Sequence, residues 1–308
     1  MKKFVSTVAV LAAILLPHLY ATDLQAQVLH TFISITGNDA NTASECQLSA
    51  PCQSFEAAYS KTAEHGHVSC LDTGTFSSYP FTITQSITLD CHDRFALPVP
   101  LGGIGCGENA IVINAPGATV TLRNINISTF NGVCATNGVS IEAASVVNIE
   151  DCLIDSFPQS GISVTTSANT ILNVVNTRIR NAANGISLAP TGGAVNGSID
   201  HAIIAKMSGS GITSAGSVYF TVTNSLVVNA AGTGVSSGPG AVLEVDSSSI
   251  SNNRTAFATT GGTIRISHNL IYDNTANYSI AGGVIATSDD NKVAVNGSTV
   301  PNGTITRQ

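Results

Sequence analysis

No tryptophan occurs among the 308 residues, and aromatic side chains amount to 5%. Sugar sites commonly stack rings on aromatics, so a glycan would have to be held here largely without such platforms. Charged residues are scarce too, at 10%, with a net charge of -7, a pI near 5.4 and no basic run. That balance excludes binding driven by nucleic-acid phosphates or by an anionic membrane surface. Long apolar runs are also missing: the longest, at residues 5–16, falls short of the roughly 20 residues that span a bilayer. There is no Gly-X-Ser-X-Gly elbow, phosphate loop, dinucleotide fingerprint or spaced His/Cys quartet, so no cofactor and no metal are expected.

What is present begins with Lys2 and Lys3, the apolar run, and small and polar residues ending near Ala26, the layout of a secretory signal peptide over residues 1–26. A soluble exported protein is expected, extracellular or periplasmic. Gly, Ser, Thr, Asn and Val dominate the rest, which favours strands and tight turns. Seven cysteines in an exported chain point to disulfides with one thiol left over. Cys46 and Cys52 are close enough to close a local loop, whereas Cys70 and Cys91, and Cys106 and Cys134, stand about one repeat apart. Cys152 is then the odd one, read as a small buried hydrophobe.

The repeat is a six-residue phrase: LRNINI at 122–127, IEDCLI at 149–154, VVNTRI at 174–179, IDHAII at 199–204, VTNSLV at 222–227, VDSSSI at 245–250 and ISHNLI at 266–271. Successive phrases are 27, 25, 25, 23, 23 and 21 residues apart, a drifting period that marks a solenoid. A second phrase keeps step with it: AIVI at 110–113, GVSI at 138–141, GISV at 161–164, GISL at 185–188, GITS at 211–214, GVSS at 234–237 and AFAT at 256–259. Each repeat thus holds three strand-like pieces joined by turns too short for a crossover helix. The chain must wind as a coil, each strand pairing in parallel with its copy one turn on, about 4.8 Å away. The column Ile127, Ile154, Ile179, Ile204, Val227, Ile250 and Ile271 fills the interior. The polar column Asn124, Asp151, Asn176, His201, Asn224, Ser247 and His268 sits at a bend, bonding backbone or neighbouring coils.

These phrases resemble the right-handed parallel β-helix proteins of the pectin lyase-like superfamily, in which an asparagine ladder lines the second turn. The likeness covers roughly residues 31–300, and the segment from Thr31 to Phe76 looks like the cap and first coil of exported bacterial members. The expected fold is all-β, a right-handed parallel β-helix of about eight to nine coils with three strands each. Expected divisions are an N-terminal cap at 27–66 with a short helix at about 54–63, the β-helix at 67–300 and a tail at 301–308. Phe55, Ala58 and Tyr59 share one face of that helix and would cover the open end of the coil.

Enzymes of this superfamily place acids and bases on the first strand, but its outward row here is Val112, Ser140, Ser163, Ser187, Thr213, Ser236 and Ala258, with no ionisable group. Charges gather elsewhere, in stacked pairs: Arg123 with Glu150, Asp155 with Arg180, Glu244 with Arg265. Such pairs are ordinarily surface ion pairs worth about 0 to 1 kcal/mol. The sharper reading makes Glu150, Asp155, Arg178, Arg180, Asp200 and Lys206 one mixed-charge patch that binds or cleaves an acidic sugar. Glu150 and Asp200 share a slot two coils apart, about 9.6 Å, at the edge of the separation used by inverting carboxylates. No two carboxylates occupy one slot in adjacent coils, so calcium enters only under a lyase reading, with the GNDAN loop at 37–41 a weak candidate cradle. The long turns at 92–109 and 128–137 would wall any groove, with His92, Asp93, Arg94, Phe130 and Asn131 at its rim. Six Asn-X-Ser/Thr sequons are present, including Asn126 and Asn253. The leading expectation is a non-catalytic extracellular or cell-surface binding or structural element, with a polysaccharide or cell-surface polymer as candidate partner. The alternatives are a polysaccharide lyase or glycoside hydrolase acting on an acidic polysaccharide, and an adhesin-like passenger.

Overall fold

The computed structural model describes residues 27–41, 46–77, 80–91, 96–98, 107–129, 135–294 and 296–306. One coil shows how the sequence makes the fold. Thr170–Val175 is a strand, Asn176 turns, Arg178–Arg180 is a second strand, Asn181 turns, and Asn184–Leu188 is the third. The two turning residues have φ of 46° and 55°, the left-handed region that asparagine and aspartate tolerate better than other side-chain-bearing residues. A single left-handed residue redirects the chain without a loop, which is why the repeat is so short.

The bend expected in the polar column is therefore real and uniform: Asn124, Asp151, Asn176, His201, Asn224, Ser247 and His268 all have φ between 46° and 56°. A second left-handed column follows five residues later, at Ser156, Asn181, Lys206, Asn229, Asn252 and Asp273. The sequence reading did not identify it, although its constant offset and four Asn/Asp members were the available signal.

Stacking these coils produces three parallel sheets of twelve, nine and eight strands, a solenoid of about nine turns, and a separate two-stranded pair, Gly74–Ser77 with Ala96–Pro98. The twelve-stranded sheet runs from Val28–Ile33, through Thr62–Cys70, to Gly303–Thr304. It thus takes in residues on both sides of the divisions expected at 66 and 300. The aliphatic column is in direct register from Ile127 to Ile271, and every member is fully buried. The glycine of the second phrase has a packing cause. A Cβ on Gly185 would stand 2.4 Å from Ile204 Cγ2 and 2.5 Å from the carbonyl oxygen of Gly211 in the next coil.

Bending the chain takes backbone N–H groups out of the sheet ladders, and buried donors need partners. The position after the first corner supplies them from the coil above. Ala202 N–H donates to Ser225 Oγ at 3.1 Å, Ser225 N–H to Ser248 Oγ at 3.1 Å, Ser248 N–H to Asn269 Oδ1 and Asn269 N–H to Asn291 Oδ1, both at 2.9 Å. A parallel run after the second corner joins Ala230 N–H to Asn253 Oδ1 and Asn253 N–H to Asn274 Oδ1, each at 2.9 Å. The buried polar ladder thus lies one residue beyond the exposed corner column, not in it.

The helix is Phe55–Lys61, shorter than expected, with Ser54 as its N-cap accepting from Ala57 N–H at 3.1 Å. It ends because Thr62 turns extended and opens the strand Thr62–Cys70. Phe55 and Ala58 are buried and Tyr59 packs against the core, with Phe55 against Phe76 and Phe81. Cys46–Cys52 and Cys70–Cys91 form disulfides, and Cys152 is a buried free thiol whose burial pushes it up to about 12. The pairing expected for Cys106 and Cys134 lies outside the described residues.

Candidate functional site

The stacked ion pairs form as register requires. Arg123 Nε and Nη2 both donate to Glu150 Oε2 at 2.7 Å, with Asp90 Oδ2 3.5 Å from Nη1. Arg180 Nε and Nη2 both donate to Asp155 Oδ2 at 2.8 Å, and Asn181 Nδ2 donates to Asp155 Oδ1 at 2.7 Å. Arg265 Nη1 meets Glu244 Oε1 at 2.7 Å. The six residues expected to form one patch are nevertheless distributed around a bend. Glu150 and Asp200 end strands of the twelve-stranded sheet, before the first corner. Asp155 and Arg180 end strands of the eight-stranded sheet, before the second corner, and Lys206 is itself a second-corner residue. Arg178 starts its strand, on the side of the first corner. Val175 stands between Glu150 and Asp200, in register with both. The rim residues His92, Asp93, Arg94, Phe130 and Asn131 lie outside the described residues.

A groove follows the first corner along the solenoid, with an open volume of ≈ 890 Å³. One wall is the corner column, Asn176, His201, Asn224, Ser247 and His268; the other is the outward start of the eight-stranded sheet, Ile203, Leu226, Ser249, Leu270 and Lys292, with Tyr272 beside it. A second depression continues it past Asp151, Leu153 and Arg178. Leu270 and Tyr272 are 43% and 39% exposed, so the groove has a polar wall and a largely apolar one.

The polar wall is held rigid from behind. Asp200 accepts from Thr223 Oγ1 at 2.8 Å and Asn224 Nδ2 at 2.9 Å, and lies 2.8 Å from His201 Nδ1. The Asn224 bond, helped by His201 and Thr223 and opposed by partial desolvation, lowers its carboxyl to about 2. His268 bridges two carboxylates, with Nδ1 2.9 Å from Asp246 Oδ1 and Nε2 3.1 Å from Asp290 Oδ2. Partial burial raises the Asp246 carboxyl, but bonds from Ser267, His268 and Ser247 outweigh it and leave the group below its ordinary value. Sequence reasoning took His201 and His268 only as corners; the adjacent Asp200–His201 pair was the signal of a second role.

Among the described residues no three His, Cys, Asp or Glu side chains converge as a metal-ligand set. The GNDAN loop is organised around an ammonium instead: Lys61 Nζ donates to the carbonyl oxygens of Asp39, at 3.0 Å, and Asn41, while Asp39 Oδ1 accepts from Gln53 and Ser54 N–H. Of the sequons, Asn253 and Asn277 are 2% exposed and offer no acceptor in the folded chain.

No family model and no curated protein matches the sequence. Among solved structures, the chain is similar to pectate lyase Pel9A, with 13% identity and a TM-score of 0.60 over 92% of this chain and 79% of that one. The shared fold is a parallel β-helix. The β-helix is likewise similar to XylC, solved in complex with xylose, with 9% identity and a TM-score of 0.57 over 86% of this chain and 70% of that one. Identities this low carry architecture, whereas function resides in the particular side chains set on it. No helix among the described residues is long and apolar enough to cross a membrane.

Proposed function

We propose that this β-helix is an exported, non-catalytic element that binds a neutral polysaccharide along the first-corner groove. The observation that carries the reading is the amphipathic groove itself, whose polar and apolar groups recur once per coil, about 4.8 Å apart. A pyranose chain offers the complementary pattern, hydroxyl edges alternating with apolar C–H faces. Asp151 and Asp290 line the groove, and Asp200 and Asp246 stand behind its histidines. Against them stand the cations Arg178 and Lys292, so the carboxylates disfavour a polyuronate. The xylose bound by XylC is consistent with a neutral sugar as ligand. The signal-like N-terminus and the two disulfides support export into an oxidising compartment.

The binding reading is preferred to hydrolysis by Glu150 and Asp200 because of what surrounds each carboxylate. Asp200 is held to about 2 and stays ionised at neutral pH, whereas a general acid must carry its proton at the working pH. Glu150 is engaged by the Arg123 guanidinium. Calorimetric titration with xylan, a β-glucan and polygalacturonate, paired with assays for reducing ends and unsaturated products, tests the proposal. Binding to a neutral glycan without product is expected, weakened by Leu270→Asp. Turnover that disappears in Glu150→Gln would overturn the reading.

A further inference from the structure

Near their start, the strands of the twelve-stranded sheet share a column that points outward. Val146, Ile171, Tyr219, Val242 and Val284 belong to it, with Asn196 and Thr263 between them, all in direct register from coil to coil. Tyr219 is 57% exposed, Ile171 45% and Val284 38%. The alternate residues Val147, Leu172, Phe220, Leu243 and Ile285 fill the core, so the outward row owes nothing to interior packing. A contiguous row of apolar side chains left in water marks an interaction surface.

The surroundings of the column are uncharged. The turns that lead into it, at residues 143–145, 165–169, 189–194, 215–217, 238–240, 260–262 and 281–283, contain no Asp, Glu, Lys, Arg or His. On its other side the next outward row runs through Asn148, Asn173, Ser198 and Thr221 to Glu244 and Arg265, which neutralise each other at 2.7 Å. A chain of net charge -7 meets its own copy with least repulsion where neither surface carries unbalanced charge.

We propose that this strip is the interface of a dimer of the chain, two solenoids lying side by side and parallel, with the two-fold axis running along the coils over the column. That operator sets every member on its own counterpart. The coil repeat of about 4.8 Å, common to both copies, keeps the rows in step, so Tyr219 meets Tyr219 and Ile171 meets Ile171. Asn196 and Thr263 are self-complementary too, because an amide or a hydroxyl both donates and accepts. Glu244 and Arg265 come over the partner's uncharged turns. Seven coils of column, with the turns and the neighbouring row, offer on the order of 700 Å² per chain by the strand spacings, close to the roughly 800 Å² per partner of a stable interface. The first corner lies at the far end of these strands, so the groove stays open and the dimer is independent of the glycan reading.

Sedimentation equilibrium of the full chain over a dilution series tests the proposal. A reversible rise toward twice the 31.4 kDa chain mass is expected. Tyr219→Asp and Ile171→Asp should each weaken association by at least about 30-fold, the effect of losing an anchoring interface residue. Their circular dichroism should match wild type, since both side chains lie outside the core. Because facing residues are identical, Asn196→Cys should cross-link to itself on oxidation, whereas Thr213→Cys, outward on the nine-stranded sheet, should not. Leu270→Asp in the groove should leave association unchanged. A monomer at every concentration, association that survives Tyr219→Asp, or no cross-link at Asn196→Cys would overturn the proposal. So would binding of a monomeric wild type to xylan that Tyr219→Asp abolishes, which would make the strip a sugar surface.

Discussion

The early and late coils make the same corner over interiors that differ in polarity. Behind the first corner, the early coils bury Ile125, Cys152 and Ala202, with Thr177 a buried polar member that accepts from Cys152 N–H at 3.3 Å, and behind the second they bury Phe157, Ala182 and Met207. The late coils bury Ser225, Ser248 and Asn269 behind the first and Asn253 and Asn274 behind the second. The early interior is filled mainly by apolar volume, and the region before it is fastened by two disulfides. The late interior is fastened by side chains that accept the N–H groups of the coil below. As this changeover proceeds, the repeat shortens from 27 to 21 residues. A left-handed corner thus fixes only the backbone path; what stands inside it is free to be apolar or polar, provided every buried donor is met.

Breaking the ladder should have the largest effect. Asn269 is fully buried, accepts from Ser248 N–H, and donates to the carbonyl of Val245 at 2.7 Å and to Asn291 Oδ1 at 3.0 Å. Asn269→Leu keeps the volume and orphans buried groups at roughly 1 to 3 kcal/mol each, so urea unfolding should show a loss of about 4 kcal/mol. A loss below 1 kcal/mol would mean that water replaces the ladder. Opening the early staple should cost somewhat less. Cys70 and Cys91 close a loop of sequence separation 21, and the double change to serine should cost about 3 kcal/mol, measurable by calorimetry.

The smallest effect tests the outside of the corner, which both regions share. The Asp200 carboxyl lies below its unfolded value of 3.8, at about 2. A depressed carboxyl adds stability above the unfolded value, and that stability is lost as pH falls from about 4 toward 2. With 35% of the side chain exposed, solvent screening holds the contribution under about 1 kcal/mol. Wild type and Asp200→Asn should therefore differ slightly at pH 6 and converge near pH 2; a difference that widens in acid would reverse the assignment.

Much of this architecture was legible because the solenoid repeats its environment. A residue one coil on has the same neighbours, so Ile127 through Ile271 and the stacked pairs at Arg123, Asp155 and Glu244 could be matched by position alone. The second left-handed column was harder to see, since Lys206 and Ser156 occupy it without resembling Asn. The buried ladder one residue beyond the corner column was missed for a related reason. Ser225, Ser248 and Asn269 look like ordinary turn residues until the bend turns them inward.

The sequence by itself determined the winding, the coil period and which side chains lie over one another, because parallel register converts periodicity directly into contact. Only the tertiary structure decided which of those stacked columns face a common groove, since the direction of a side chain at a corner depends on the single left-handed residue beside it. That is why Glu150 and Asp155, five positions apart along the chain, end on different sides of a three-residue strand, while His201 and His268, three coils apart, line the same wall.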